Sequence, residues 1–238
     1  MAQFAWMGRL FIFPSIGRPL RLNRGREDGI LSKEAISLTL SDLKNKLRDH
    51  APGLQGVPTH YGVLVPVVET ADGLSLLFEV RASTLNHQPR EVCFPGGKVE
   101  PGESPEDCAL RETWEELSIP RSDISLIAPL DCLYHQSAFL LHPYLAEVRL
   151  NHLSPNPAEV QETFLVPFSY FQTHQPITYT YPLVPQVGED FPYDLIGFPQ
   201  GYPWRGAAAE VPIYLYEGRA IWGLTGRIVR WLVEQLGE

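Results

Sequence analysis

The sequence predicts an α/β protein in which a mixed β-sheet is sandwiched between helices. Three observations carry this. Runs of β-branched and aromatic residues recur along the chain. Two amphipathic helices interleave with them, one central and one terminal, and each has an apolar stripe that a sheet face would bury. With 238 residues, 44% of them hydrophobic, the chain can enclose one sizeable core. Residues 31–238 are therefore expected to form a single domain, with residues 1–30 as a flexible extension.

Leu31 to His50 reads as a helix, with Ser32 or Ser41 as its cap, Ile36, Leu40, Leu43 and Leu47 as its stripe, and Ala51-Pro52-Gly53 as its end. Gly62 to Val68 and Leu74 to Arg81 read as strands of a hairpin turning at Thr70-Ala71-Asp72-Gly73. Glu91 to Phe94 is a short strand running into a glycine turn at Gly96-Gly97. Ile124 to His135 and Phe139 to Val148 pair around Gln136-Ser137, and Glu162 to Val166 precedes a helical turn over Pro167 to Phe171. Pro176 to Trp204 lacks periodicity and is rich in Pro, Gly, Tyr and Phe, which predicts a long loop, usually a functional or mobile feature. Val211 to Tyr216 and Ala220 to Trp222 resume strand character. Leu224 to Leu236 closes the chain as a helix with Ile228, Val229, Leu232 and Leu236 inward.

The central helix carries the chemistry. Ser104 suits its N-cap, Pro105 its first turn, Glu106 and Asp107 the positive end of its dipole, and Pro120 marks its end. At about 100° per residue, Ala109, Leu110, Thr113, Trp114 and Leu117 share one side, and Glu112, Glu115 and Glu116 share the other. Carboxylates one turn apart repel, and helix stability gains nothing from them. A solvated acidic face is the ordinary reading of such a cluster. A hard divalent cation is the functional one, since it accepts carboxylate oxygens together with substrate phosphates. The preceding turn, Phe94-Pro95-Gly96-Gly97-Lys98 to Pro101-Gly102-Glu103, would bring backbone N–H groups near the acidic side, where a phosphate can sit.

Gly97, Glu103 and the run Arg111-Glu112-Thr113-Trp114-Glu115-Glu116-Leu117-Ser118-Ile119 resemble the Nudix box, the signature of hydrolases that cleave nucleoside diphosphates linked to another group. Ser118 replaces the usual glycine after the helix, and Thr113 a more apolar residue. Upstream, Leu77, Arg81 and Phe94-Pro95-Gly96-Gly97 are similar to the block that precedes the box in coenzyme A diphosphatases. Ala82 stands there for a serine, Asn86 for an arginine and Arg90 for a glycine, so a positive charge is displaced by four residues. Asn156 to Pro167 and Ile221-Trp222-Gly223-Leu224-Thr225-Gly226 are similar to later segments of that subfamily.

The resemblance implies a Nudix-type α/β/α sandwich and metal-dependent hydrolysis of coenzyme A or acyl-coenzyme A to 3',5'-ADP and (acyl-)4'-phosphopantetheine. It implies Mg2+ or Mn2+ as cofactor, held by Glu112, Glu115 and Glu116. Glu112 and Glu116 are its catalytic residues, Glu112 the candidate general base, with Glu159 or Glu162 as competitors. Arg81, Arg90, Gly96, Gly97 and Lys98 are expected at the substrate. Arg111, facing away from the acidic sector, is expected to pair with Glu103 and orient the box. The alternatives are another nucleoside diphosphate substrate (ADP-ribose, NADH, a nucleoside triphosphate) or a nucleotide sensor without turnover.

The remaining features narrow the setting. A formal net charge of -9 argues against broad nucleic-acid binding. No apolar run is long enough to span a membrane. The expected partner is thus a small-molecule substrate, with no nucleic acid and no membrane, and a homodimer is left open. Cys93, Cys108 and Cys132 form no metal or disulfide pattern and fit a reducing, cytoplasmic setting, the first two as small apolar residues. Before Glu27 the chain has Arg9, Arg18, Arg21, Arg24 and Arg26 and no acid, which makes an organellar presequence the alternative. His87 reads as a loop residue, and His135, His142 and His152 as structural. Tyr193, Phe198, Tyr202 and Trp204 either anchor their loop or stack an adenine.

Overall fold

The computed structural model describes residues 39–51, 53–57 and 59–237. The expected extension, Ser32 and the first part of the first expected helix lie outside them. These residues fall into two units, one ending at Gly53 and one beginning at Leu54. In the first, α1 runs Leu40–Leu47. Its cap is Thr39, not Ser41: the Thr39 hydroxyl accepts from the Asp42 N–H, and the Asp42 carboxylate accepts from Thr39, a reciprocal capping box.

The second unit holds the sheet. Strands β1 (Thr59–Thr70) and β2 (Gly73–Arg81) form the expected hairpin. They are followed by β3 (Val92–Cys93), β4 (Gly96–Lys98), β5 (Ile124–Pro129), β6 (Leu133–His135), β7 (Phe139–Val148) and β8 (Val160–Pro167). The central order is β3-β2-β1-β7-β5, with β4 on β1, β6 on β7 and β8 on β2. The β1–β7 pair is parallel and its neighbours antiparallel, so the sheet is mixed.

Alternation along β1 and β2 sends successive side chains to opposite faces. Leu64, Val68 and Leu77 face one way and pack with Ala109, Leu110 and Leu117 of α2 (Pro105–Leu117). Val65, Leu76 and Phe78 face the other way and pack with Ile228, Val229 and Leu232 of the terminal helix, α4 (Gly223–Leu236), and with Phe171 of α3 (Phe168–Thr173). Each fully buried Leu or Phe contributes about 2 kcal/mol. The two helical stripes are thus buried on the two sheet faces, except for Trp114 and Leu236, which were expected inward and are exposed. No helix of the described residues is long and apolar enough to cross a membrane.

Several expectations need correction. The glycine turn is itself a strand, because Gly96, Gly97 and Lys98 pair with Val63, Gly62 and Tyr61. The stretch Ile124 to His135 breaks into β5 and β6. The expected loop 176–204 contains β9 (Ile177–Leu183), which joins β10 (Ala207–Tyr216) and β11 (Arg219–Trp222) in a second, three-stranded sheet. Tyr179 and Thr180 pair with Val211 and Glu210, so tertiary pairing overrides a composition that suggests loop.

Close approach at one glycine sets the position of α2. A Cβ on Gly62 of β1 would enter the carbonyl oxygen of Pro105 and come within 2.9 Å of the Ala109 nitrogen. Both are helix backbone and cannot swing aside. Gly62→Ala is therefore expected to destabilise by about 2–3 kcal/mol and to lower Tm by roughly 5–10 °C, read by thermal unfolding. Ser118 ends α2 in the left-handed region, φ 57°, the conformation a glycine there would supply. Its N–H bonds the Trp114 carbonyl, and its hydroxyl donates to Ser154 O at 2.9 Å, which offsets part of the strain.

Candidate active site

Strand β4 and helix α2 set the site. Ser104 accepts from the Asp107 N–H at 3.1 Å, and Pro105 opens the helix, as its sequence requires. Ala109, Leu110, Thr113 and Leu117 then face the sheet. Thr113, fully buried, satisfies its hydroxyl on the Ala109 carbonyl at 2.7 Å.

The acidic side chains are distributed differently from expectation. On a wheel turning about 100° per residue, Glu116 falls about 20° from Ala109, at the edge of the inward arc on the Glu112 side. It is buried, 3% exposed, and its Oε2 accepts the Gly96 N–H at 2.9 Å. Trp114 lies beyond the arc and is exposed. The acids do not form one solvent-facing row: Glu115 is exposed, Glu112 half-buried and Glu116 inside. Nor does Arg111 face away from them. Its Nε and Nη2 grip Glu103 at 2.8 and 3.1 Å, and its Nη1 bridges Glu112 at 2.8 Å and Glu115 at 3.0 Å. The Arg111–Glu103 pair is the expected one, in the bidentate geometry that suits a guanidinium.

The electrostatics follow. Arg111 holds the Glu103 carboxyl below the usual carboxylate range. Burial raises Glu112, against the pull of Arg111. Burial, with the charge of Glu79 nearby, pushes Glu116 strongly upward. Glu79 of β2 is the residue that sequence reasoning missed. It is 1% exposed, and burial raises its carboxyl too. Its Oε1 accepts from the Cys93 thiol at 3.3 Å, so Cys93 does more than fill space. A signal existed: Glu79 stands between the apolar run Leu76-Leu77-Phe78 and Val80, two residues from Arg81, on a strand covered on both faces.

The expected substrate residues take the following places. Arg81 reaches from β2 to within 4.0 Å of Glu116, and its Nε has no hydrogen-bond partner among the described residues. Gly96 spends its N–H on Glu116. A Cβ on Gly97 would strike the Glu112 carboxylate, so that glycine lets the acid lie against β4. Lys98 gives its carbonyl to Arg111 at 3.3 Å and is exposed. Arg90 is exposed in the β2–β3 loop, in the left-handed region at φ 64°.

Of the competing bases, Glu162 is engaged by Arg219 at 3.0 Å. Glu159 is half-buried and close enough to act electrostatically on Glu79 and Glu112. His135 accepts from the Ser137 N–H, and His152 bonds Asp123 at 2.6 Å, both structural. His142 bridges His60 and Cys132. Phe191, Tyr193, Phe198, Tyr202 and Trp204 pack edge-to-face or tilted against one another, and Trp204 donates to Tyr193.

Among the described residues, no three acids, imidazoles or thiols stand with donor atoms already gathered for a cation. The donor chemistry nevertheless fits one. Two buried acids with raised protonation, a half-buried third, and a buried carboxylate oxygen without a partner make a site short of positive charge. The glutamates that would take the ion are Glu112, Glu115 and Glu116, and Arg111 is bonded to the first two of them.

Comparison with known proteins gives the same direction. Residues 58–182 match the family described as the NUDIX domain. The peroxisomal coenzyme A diphosphatase NUDT7 of Mus musculus is 35% identical over 55% of this chain and 56% of its own length, so the chain matches little more than half of that relative. The mitochondrial coenzyme A diphosphatase NUDT8 of Homo sapiens is 29% identical over 77% of this chain and 72% of its own. An uncharacterized Nudix hydrolase, NudL, of Photorhabdus laumondii is 29% identical over 84% of this chain and 98% of its own.

Proposed function

We propose, from the premise that this chain belongs to the NUDIX family, that it hydrolyses the pyrophosphate bond of coenzyme A or acyl-coenzyme A, releasing 3',5'-ADP and (acyl-)4'-phosphopantetheine. One observation carries the reading: the Phe94-Pro95-Gly96-Gly97 segment is docked on the box helix through the Gly96 N–H and the buried Glu116 carboxylate. This joins the block typical of coenzyme A diphosphatases to the box. The names of the mouse and human relatives support the same substrate.

Glu112, Glu115 and Glu116 would hold Mg2+ or Mn2+. When bound, such an ion polarises a phosphoryl oxygen and lowers the pKa of a water. The chain's own part is positioning and charge, which is most of what phosphoryl transfer requires. Arg111, braced on Glu103, fixes Glu112 and Glu115. Glu112, its protonation raised by burial, is the candidate base, and Glu159 is the alternative. Arg81 and Arg90 supply guanidinium groups for the diphosphate or 3'-phosphate. The arginines before Glu27 keep an organellar address beside the cytoplasmic one.

The displaced charge, Asn86 and Arg90 in place of arginine and glycine, gives weight to a second reading, a different nucleoside diphosphate derivative. A panel of coenzyme A, acetyl-coenzyme A, ADP-ribose and NADH, digested with Mg2+ and resolved by chromatography, separates the two. The expected result is the highest kcat/KM on a coenzyme A substrate, with 3',5'-ADP as product. A higher value on ADP-ribose or NADH, with AMP as product, overturns it. Calorimetric binding without turnover on any of them points to a sensor.

A further inference from the structure

We infer that Glu79 of β2 is a fourth carboxylate of the divalent-cation site, so that the site extends from the box helix onto the sheet beneath it. The inference rests on the cation reading proposed above.

Alternation along β2 places Glu79 on the same face as Leu77, which packs with α2. Nothing in packing calls for an acid there. Glu79 is fully enclosed, and its one hydrogen bond is from the Cys93 thiol, a weak donor. Its other oxygen, Oε2, is buried without a partner among the described residues. An unsatisfied buried carboxylate oxygen is costly and calls for an explanation in function, water or an ion.

The surroundings favour a cation. Glu116, Glu112 and Glu159 all act electrostatically on Glu79 or on one another, against two cations, Arg81 beside Glu79 and Glu116 and Arg111 bonded to Glu112. The Nε of Arg81 is unpartnered, and its Nη1 lies 4.0 Å from Glu116, beyond a good hydrogen bond. Glu79 and Glu116 are fixed in place by burial. Glu112 and Glu115 are the adjustable members, held for now by Arg111. A hard ion accepting oxygens from the fixed acids and then from the adjustable ones satisfies Oε2 and lowers the mutual repulsion. The Cys93 thiol keeps the Glu79 carboxylate oriented.

The test is Mn2+ binding to the full chain without substrate, with free Mn2+ read by electron paramagnetic resonance. The proteins are the wild type, Glu79→Gln, Glu79→Asp and Glu116→Gln. Glu79→Gln keeps the shape and removes the charge, and is expected to raise the Mn2+ Kd at least about tenfold and to shrink the Mn2+-induced rise in Tm. Glu79→Asp keeps the charge but withdraws it by one carbon, and is expected to raise Kd about threefold or more, which preserves the test should the glutamine variant not fold. A Kd within about twofold of wild type in the Glu79 variants, with Glu116→Gln weakened, overturns the role of Glu79 and leaves the cation reading standing. Wild-type affinity in all the variants overturns both.

Discussion

Replacing Glu116 by glutamine is expected to lower kcat for coenzyme A hydrolysis at least about a hundredfold, while raising the Tm of the metal-free protein. The two effects have one cause. Glu116 is an acid buried between the box helix and the sheet, with one N–H, that of Gly96, and one guanidinium at 4.0 Å to compensate it. Folding without a cation must desolvate that charge or hold it protonated, and either costs stability. Glutamine accepts the same Gly96 N–H and carries no charge. A structural residue would show the opposite pattern, a lower Tm and a kcat little changed. A loss of less than about tenfold in kcat would count against the metal role, because removing a ligand should cost more than disturbing a residue behind one.

The second large effect is on stability against pH. In the folded chain, both Glu79 and Glu116 have protonation raised by burial. Below the ordinary carboxylate range, folded and unfolded chains are both protonated at these sites, and there is no penalty. As pH rises past about 4.5 the unfolded chain ionises first, the folded chain retains more protons, and stability falls. The metal-free protein should therefore lose stability from the ordinary carboxylate range upward, through the value of about 7 for Glu79 and until the value of about 9 for Glu116 is passed, and saturating Mg2+ should flatten that fall.

Other groups act elsewhere or in the opposite sense. Glu103 and Glu162, lowered by Arg111 and Arg219, add stability that is complete above the carboxylate range and lost on acidification. His135 and His142, lowered by partial burial, make stability rise with pH near about 6.5. The readout is thus the difference between wild type and Glu116→Gln in Tm against pH without metal. The wild type should fall more steeply, and parallel curves would contradict the account.

Much of the fold is legible in the sequence because local signals and tertiary packing agree there. Ser104, Pro105 and Pro120 bound the box helix in both, and the turn at Thr70 to Gly73 fixes the hairpin. Strand β9 is not legible. Pro176, Pro182 and the tyrosines around them resemble loop, and only pairing with β10 makes that segment a strand. Strand β4 is hidden for the same reason, since two glycines read as a turn until β1 pairs with them.

In the candidate site, residue types were easier to read than directions. The pairing of Arg111 with Glu103 follows from the box, but its bridge to Glu112 and Glu115 does not. Glu116 looks solvent-facing beside Glu115 in sequence, yet one residue turns the wheel by about 100° and carries it to the edge of the core arc beside Ala109, where the sheet buries it. Glu79 escapes notice because an acid in a strand normally marks an exposed position. Here the middle of β2 has helices on both sides, and from Ser75 to Val80 every residue is buried.

The central claim is that these carboxylates, with a divalent cation, cleave the pyrophosphate of coenzyme A. It is tested most directly by incubating the protein with coenzyme A, in excess Mg2+ and in excess EDTA, and quantifying the products by chromatography. The account expects 3',5'-ADP and 4'-phosphopantetheine in equal amounts with Mg2+ and neither with EDTA. Intact coenzyme A in both, with binding observed calorimetrically, or equal turnover in both, would contradict it.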